Sequence, residues 1–197
     1  MRLETLIQRG PTMVRSALRD LRYGRPLGGT VRSRYEHLGA FHATNSPYED
    51  LDRIFDGVEM RPEDVIVDVG AGKGRSLNWL LDRYPANRIY GIELDPELAA
   101  ATARRLRRYP NVTVVAADAT RVIPPEGTVF YLFNPFDAEV TARFARALLE
   151  RARPATIVYY NAKFLEPFRA DDRFAVRELD DPALAHGSAV VTLSERS

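Results

Sequence analysis

From Asp64 onward, short apolar runs alternate with stretches of helical period, and this alternation constrains the chain more than any other feature. Val65–Val69, residues 88–92, Val112–Ala116, residues 128–133 and residues 156–160 read as strands. About Arg75–Arg83, residues 96–108 and residues 137–151 read as the helices between them. Strands apolar on successive residues must be covered on both faces, so the pattern predicts an α/β fold with a mainly parallel sheet and helices on either side. Phe174–Leu179 and Ser188–Leu193 are also strand-like and are expected to pair antiparallel at the sheet edge.

With 197 residues, 45% of them hydrophobic, the chain can bury one sizeable core but not two ordinary domains. It has no cysteine, which excludes disulfides, thiolate metal sites and cysteine nucleophiles, and suits a reducing cytoplasm. No apolar run approaches the ~20 residues of a membrane-spanning helix, so a soluble, cytoplasmic protein is expected. The net charge of +1 hides an asymmetry: residues 1–35 hold eight arginines against Glu4 and Asp20. In this stretch Leu3, Leu6, Ile7, Val14, Ala17, Leu18 and Leu21 recur at helical spacing, with Arg15, Arg19 and Arg22 facing elsewhere. The reading is a basic amphipathic helix, interrupted near Gly10-Pro11, with its apolar side against the core and its arginines in solvent. Contact with anionic lipid or nucleic acid are the alternatives. A Gly/Pro-rich loop follows over residues 24–30, and Ser46-Pro47 is expected to cap a helix carrying Leu51, Ile54, Phe55 and Val58.

The first strand runs into Asp68-Val69-Gly70-Ala71-Gly72-Lys73-Gly74-Arg75, where three glycines allow a sharp turn and close approach of backbone to a ligand. The second ends at Glu93, placed to accept hydrogen bonds from both hydroxyls of a ribose, while Asp95 before Pro96 is placed to cap the next helix. The third ends at Asp118-Ala119, where a carboxylate can accept from an adenine amine. Three successive strand ends thus suit an adenosyl ligand. A nicotinamide-dinucleotide enzyme is the competing reading, but Arg75 stands where G-x-G-x-x-G requires its last glycine.

In their order and spacing, Asp68-Val-Gly-Ala-Gly-Lys-Gly, Glu93, Asp118-Ala119 and Asn134-Pro135-Phe136 resemble the class I S-adenosylmethionine methyltransferases from Asp64 to about Tyr160. The Gly-Lys-Gly-Arg and Phe-Asn-Pro-Phe segments are similar to small bacterial methyltransferases distantly akin to histone-lysine methyltransferases that lack a SET domain. The resemblance implies a Rossmann-like methyltransferase domain over residues 36–197, behind a basic helical extension over residues 1–35. It implies S-adenosylmethionine as cofactor, with Gly70, Gly72 and Gly74 bordering the methionine portion and Asp68 positioning its ammonium group. Glu93 would hold the ribose and Asp118, with Ala119, the adenine.

Asn134-Pro135-Phe136 resembles a shortened Asn-Pro-Pro-aromatic motif of enzymes that methylate planar amino groups. Asn134 would orient the acceptor and border the cofactor, and Phe136 would pack beside the acceptor. The missing second proline counts against a base-flipping enzyme, and few aromatics interleave with the N-terminal arginines. The expected acceptor is therefore a nitrogen of a small molecule or protein side chain, with oxygen acceptors left open and nucleic acid set aside. The segment His42-Ala43-Thr44-Asn45-Ser46-Pro47-Tyr48 is expected to form a lid, with Tyr48 and Thr44 reaching the site. His37, His42 and His186 show no ligand spacing, so no metal is expected. A non-catalytic module binding an adenosyl ligand remains the alternative of another class.

Overall fold

The computed structural model describes residues 3–195. Its strands are β1 (Val65–Val69), β2 (Arg88–Glu93), β3 (Val112–Ala116), β4 (Val129–Phe133), β5 (Ala155–Tyr160), β6 (Phe174–Leu179) and β7 (Ser188–Leu193). Its helices are α1 (Leu3–Arg22), α2 (Tyr48–Ile54), α3 (Arg75–Arg83), α4 (Pro96–Leu106), α5 (Ala138–Glu150) and α6 (Glu166–Arg169). The strands form one sheet in the order β3-β2-β1-β4-β5-β7-β6. The first five run parallel, and β7 pairs antiparallel with both β5 and β6. The expected mainly parallel sheet with an antiparallel C-terminal edge is the one observed.

Every residue of β1 is buried. Successive side chains point to opposite faces, so Val67 and Val69 join a core with Phe130, Phe144, Leu148 and Tyr159, while Ile66 joins another with Leu51, Trp79, Leu80 and Tyr131. Each such burial stabilises the fold by about 1.5–3 kcal/mol, which is why both faces must be apolar. Asp68 is the departure within β1, a carboxylate that is 2% exposed. Asp95 and Asp137 start the helices that follow β2 and β4. Asp95 accepts from the backbone N–H groups of Glu97 and Leu98 at 2.9 and 3.2 Å, and Asp137 from that of Val140 at 2.9 Å.

Two expectations about the N-terminal region are corrected. Helix α1 runs through Gly10 and Pro11 without interruption; proline's fixed φ is helical, and its disruption is local. Nor does α1 dock by its apolar side over residues 12–22; the side chains of Leu3, Leu6 and Ile7 lie outside those described. Ser16, Asp20 and Tyr23 are buried, whereas Met13, Val14, Leu18 and Leu21 are each more than half exposed. The cause is Asp20, which accepts from the Leu27 N–H at 3.0 Å, the Tyr48 hydroxyl at 2.9 Å, and Arg75 through Nε and Nη2 at 3.1 and 2.7 Å. A buried carboxylate needs such partners, and satisfying them turns this face inward. Similarly, α2 begins at Tyr48 without a side-chain cap. Ser46 instead shares a 2.5 Å hydrogen bond with the Tyr131 hydroxyl, and the helix stops at Ile54, short of Val58.

Between α1 and α2 the chain forms a strap across the C-terminal ends of the strands. Lys73 Nζ donates to the carbonyls of Gly28, at 2.7 Å, and Gly29, and Asn45 donates to that of Leu27. Val31 and Ala43 exchange backbone hydrogen bonds of 3.0 Å. The Phe41 N–H donates to the Pro135 carbonyl at 3.0 Å, and the Asp137 N–H to that of Gly39 at 2.9 Å. Ligands of open α/β sheets lie outside these strand ends.

Candidate active site

The glycine turn leaving β1 is left-handed at three places, with φ of 79° at Gly70, 52° at Gly72 and 76° at Gly74. At Gly70 and Gly74 side chains are excluded as well as disfavoured. A Cβ on Gly70 would lie 2.8 Å from Pro135 Cβ, and one on Gly74 would lie 2.7 Å from Thr102 Cγ2. The Gly70 contact sets the turn after β4 directly against the turn after β1. From behind, α4 braces the loop: Thr102 Oγ1 donates to the Gly72 carbonyl at 2.9 Å, and Arg105 Nη2 to those of Lys73 and Gly74 at 2.9 and 3.2 Å.

Glu93 ends β2 beside this turn. One of its carboxylate oxygens accepts from the Gly72 N–H at 2.7 Å and the other from the Asp95 N–H at 3.0 Å. Each oxygen keeps a further lone pair for a ligand. Burial raises the Glu93 pKa, and these backbone bonds oppose the rise. Asp118 accepts through one oxygen from the Thr120 N–H and hydroxyl at 2.8 and 2.7 Å, while the other lies 3.6 Å from Arg121 Nε. Asp68 accepts from Ser76 Oγ, and burial pushes its carboxyl up to about 7, with Ser76 opposing and Glu93 adding to the rise.

These residues border two adjoining spaces. Gly70, Glu93, Asp118, Ala119 and Phe136 line a cavity of about 940 Å³, with Ile92, Leu94 and Leu98 as apolar wall. Asp68, Gly70 and Gly72 line a narrow crevice of about 20 Å³ beside it. Ala43, Thr44, Gly70 and Phe133 border both. The larger volume falls within the range of about 300–1,000 Å³ usual for small-molecule sites. Carboxylates at adjacent strand ends beside apolar wall suit an adenosyl group, and the buried Asp68 beyond the glycines suits an ammonium group.

The other expected residues stand apart. Gly74 starts α3 and lines neither space. Tyr48 does not reach the site: it is 1% exposed, its hydroxyl donates to Asp20, and Arg19 lies 4.0 Å over its ring. Of the expected lid segment, His42, Ala43 and Thr44 border the cavity. Asn134 is buried at φ 38°, and its amide oxygen, expected to face an acceptor, accepts from the buried Tyr159 hydroxyl at 3.1 Å. Among residues not anticipated, Phe133 and Phe41 border the cavity, and Lys73, Thr102 and Arg105 secure its frame. The aromatic strand end 130–133 was the available signal for Phe133; nothing local marks the others.

Parallel strand ends, a glycine turn and two further acidic termini define a Rossmann-like domain of the S-adenosylmethionine-dependent methyltransferase class. Residues 66–156, just under half of the chain, match the methyltransferase domain family. A probable ribosomal RNA small subunit methyltransferase A of Methanosarcina acetivorans is 38% identical over 98 residues, or 49% of this chain and 36% of that protein. The chain thus spans about a third of the length of this curated relative. An RNA methyltransferase of Salinibacter ruber, solved with S-adenosyl-L-homocysteine, aligns with a TM-score of 0.57 at 20% identity, covering 78% of this chain and 96% of that one. The mitomycin 7-O-methyltransferase MmcR aligns with a TM-score of 0.59 at 14% identity, covering 76% and 54%. At such identities the structures share the fold. The expectation that set nucleic acid aside is corrected by the curated ribosomal RNA relatives. Loss of the second proline shortens the turn after β4 without removing its amide or its ring, so that absence did not carry the exclusion.

Proposed function

We propose that this chain is a cytoplasmic enzyme that transfers the methyl group of S-adenosylmethionine to an amino nitrogen of a nucleobase in RNA. The observation that carries the reading is the contact of Gly70 with Pro135, which joins the cofactor turn and the Asn134-Pro135-Phe136 turn at one cavity wall. The ribosomal RNA relatives support the acceptor class. Arg32, Arg121 and Arg146, exposed on the same wall, offer cations to phosphate.

Bound cofactor supplies a methyl group on a sulfonium, already joined to a good leaving group. The chain's own task is then to fix distance and direction, since alignment alone can supply about 7–11 kcal/mol of a barrier. In this reading Glu93 accepts from the ribose hydroxyls, Asp118 and Ala119 flank the adenine, and Asp68 meets the ammonium group. Asn134 is a positioning residue: anchored to Tyr159, it holds the turn in its left-handed bend. The strap forms one wall of the cavity beside the acceptor. Incubation with methyl-labelled S-adenosylmethionine and total RNA tests the proposal. Label in an N-methylated nucleoside after digestion is the expected result. Label only in protein or small molecules would overturn the acceptor, and cofactor binding without transfer to any fraction would make the chain a binding module.

A further inference from the structure

We infer that Phe41, on the strap, supplies the flat surface on which the acceptor base stacks; this deepens the nucleobase reading above and rests on it. The aromatic residue of the turn after β4 is largely engaged elsewhere. Phe136 is half-buried, packs on the core and tilts against Phe144 with ring centroids 5.9 Å apart. Phe41, by contrast, is 44% exposed on the cavity wall.

Its position is fixed relative to the reacting edge. The Phe41 N–H is bonded to the Pro135 carbonyl at 3.0 Å, and Ala40 bridges Phe136. Phe164, from the connection after β5, stacks on Phe41 with centroids 6.4 Å apart and planes 20° from parallel. Two segments far apart in sequence thus hold a ring beside Pro135, with part of its surface open to the cavity. An apolar ring so placed gains by covering its exposed area with another flat ring. Base–aromatic stacking accepts any π-face, and the exposed arginines of the same wall suit the phosphate that accompanies a base.

The test uses the full chain saturated with S-adenosylhomocysteine and a labelled single-stranded oligoadenylate, because adenine offers both an exocyclic amine and a large π-face. An abasic strand of the same length reports phosphate contact alone. Phe41→Ala is expected to weaken oligoadenylate binding about tenfold, towards the lower end of the range for one lost stack, with the abasic strand unaffected. Phe41→Trp should retain wild-type affinity. Calorimetry with S-adenosylhomocysteine should give the same affinity for all three proteins. Oligoadenylate binding indifferent to Phe41→Ala, in a wild type that does methylate RNA, would overturn the stacking role and leave the acceptor reading intact. Equal loss of S-adenosylhomocysteine affinity would make Phe41 a strap anchor and overturn the role too. A wild type that neither prefers oligoadenylate to the abasic strand nor methylates RNA would overturn both readings.

Discussion

Asp68 occupies a strand whose other residues are valine and isoleucine, and its protonation is where the chemistry of the site meets the stability of the fold. Its carboxyl is raised from 3.8 to about 7, chiefly by burial. Between those values the folded chain holds a proton that the unfolded chain has released. This group's contribution to stability therefore falls as pH rises through that window. A ligand ammonium group favours the ionised carboxylate, so below about pH 7 binding must expel the proton. S-adenosylmethionine affinity is accordingly expected to rise by up to about tenfold per pH unit towards pH 7 and to level off above it. Calorimetry in buffers of different ionisation enthalpy would register the released proton. Asp68→Asn should abolish both the slope and the release, and a slope surviving that substitution would remove Asp68 from the ammonium site. Glu93 is subject to a separate test. Glu93→Ala should weaken cofactor binding by about 1–3 kcal/mol, the scale of lost hydrogen bonds to a charged acceptor; unchanged affinity would refute the ribose assignment.

At the scale of elements, the glycine turn is held by helices on either side of it in sequence. Arg75 at the start of α3 pairs with Asp20 of α1 inside the protein, with side-chain exposures of 12% and 0%. Removing one member of a buried pair strands the other charge, at a cost of about 3–5 kcal/mol. Arg75→Met should shift the urea midpoint accordingly, and Asp20→Asn in the same chain should recover part of the loss; additive losses would mean the two residues act independently. This pair also shows where sequence reading stops. The strands were legible because apolar period is a local property, and the Asp95 cap because it lies next to Pro96. The orientation of α1 was not, since Asp20 finds its partners 28 and 55 residues away. Its apolar stripe gave the helix, though not its continuity through Pro11, and the wrong face over residues 13–21. Ser46 was misread for the same reason: its partner, Tyr131, lies 85 residues on.

At the scale of the whole molecule, two apolar cores pack on opposite faces of one sheet, and the site opens where five parallel strands end. That Glu93, Asp118 and Gly70 stand beside the cavity was legible because strand ends can be counted along the chain. Of the strap bordering the cavity, the part from His42 was read as a lid, but the bonds of Gly28 with Lys73 and of Phe41 with Pro135 were not legible, since they come from a segment without regular period. A ligand touching β1, β2, β3 and the strap stabilises the folded state as a unit. At a hundred times its dissociation constant, such a ligand adds about 2.7 kcal/mol. For a chain of this length each kcal/mol raises Tm by about 2–4 °C, so S-adenosylmethionine should raise it by roughly 5–10 °C. NAD is expected to leave Tm unchanged, because Arg75 lies where a dinucleotide turn needs glycine, and its side chain is committed to Asp20. A comparable rise with NAD would return the cavity to the dinucleotide class. A rise with S-adenosylmethionine that disappears in Glu93→Ala would tie the stabilisation to the Glu93 carboxylate rather than to nonspecific binding.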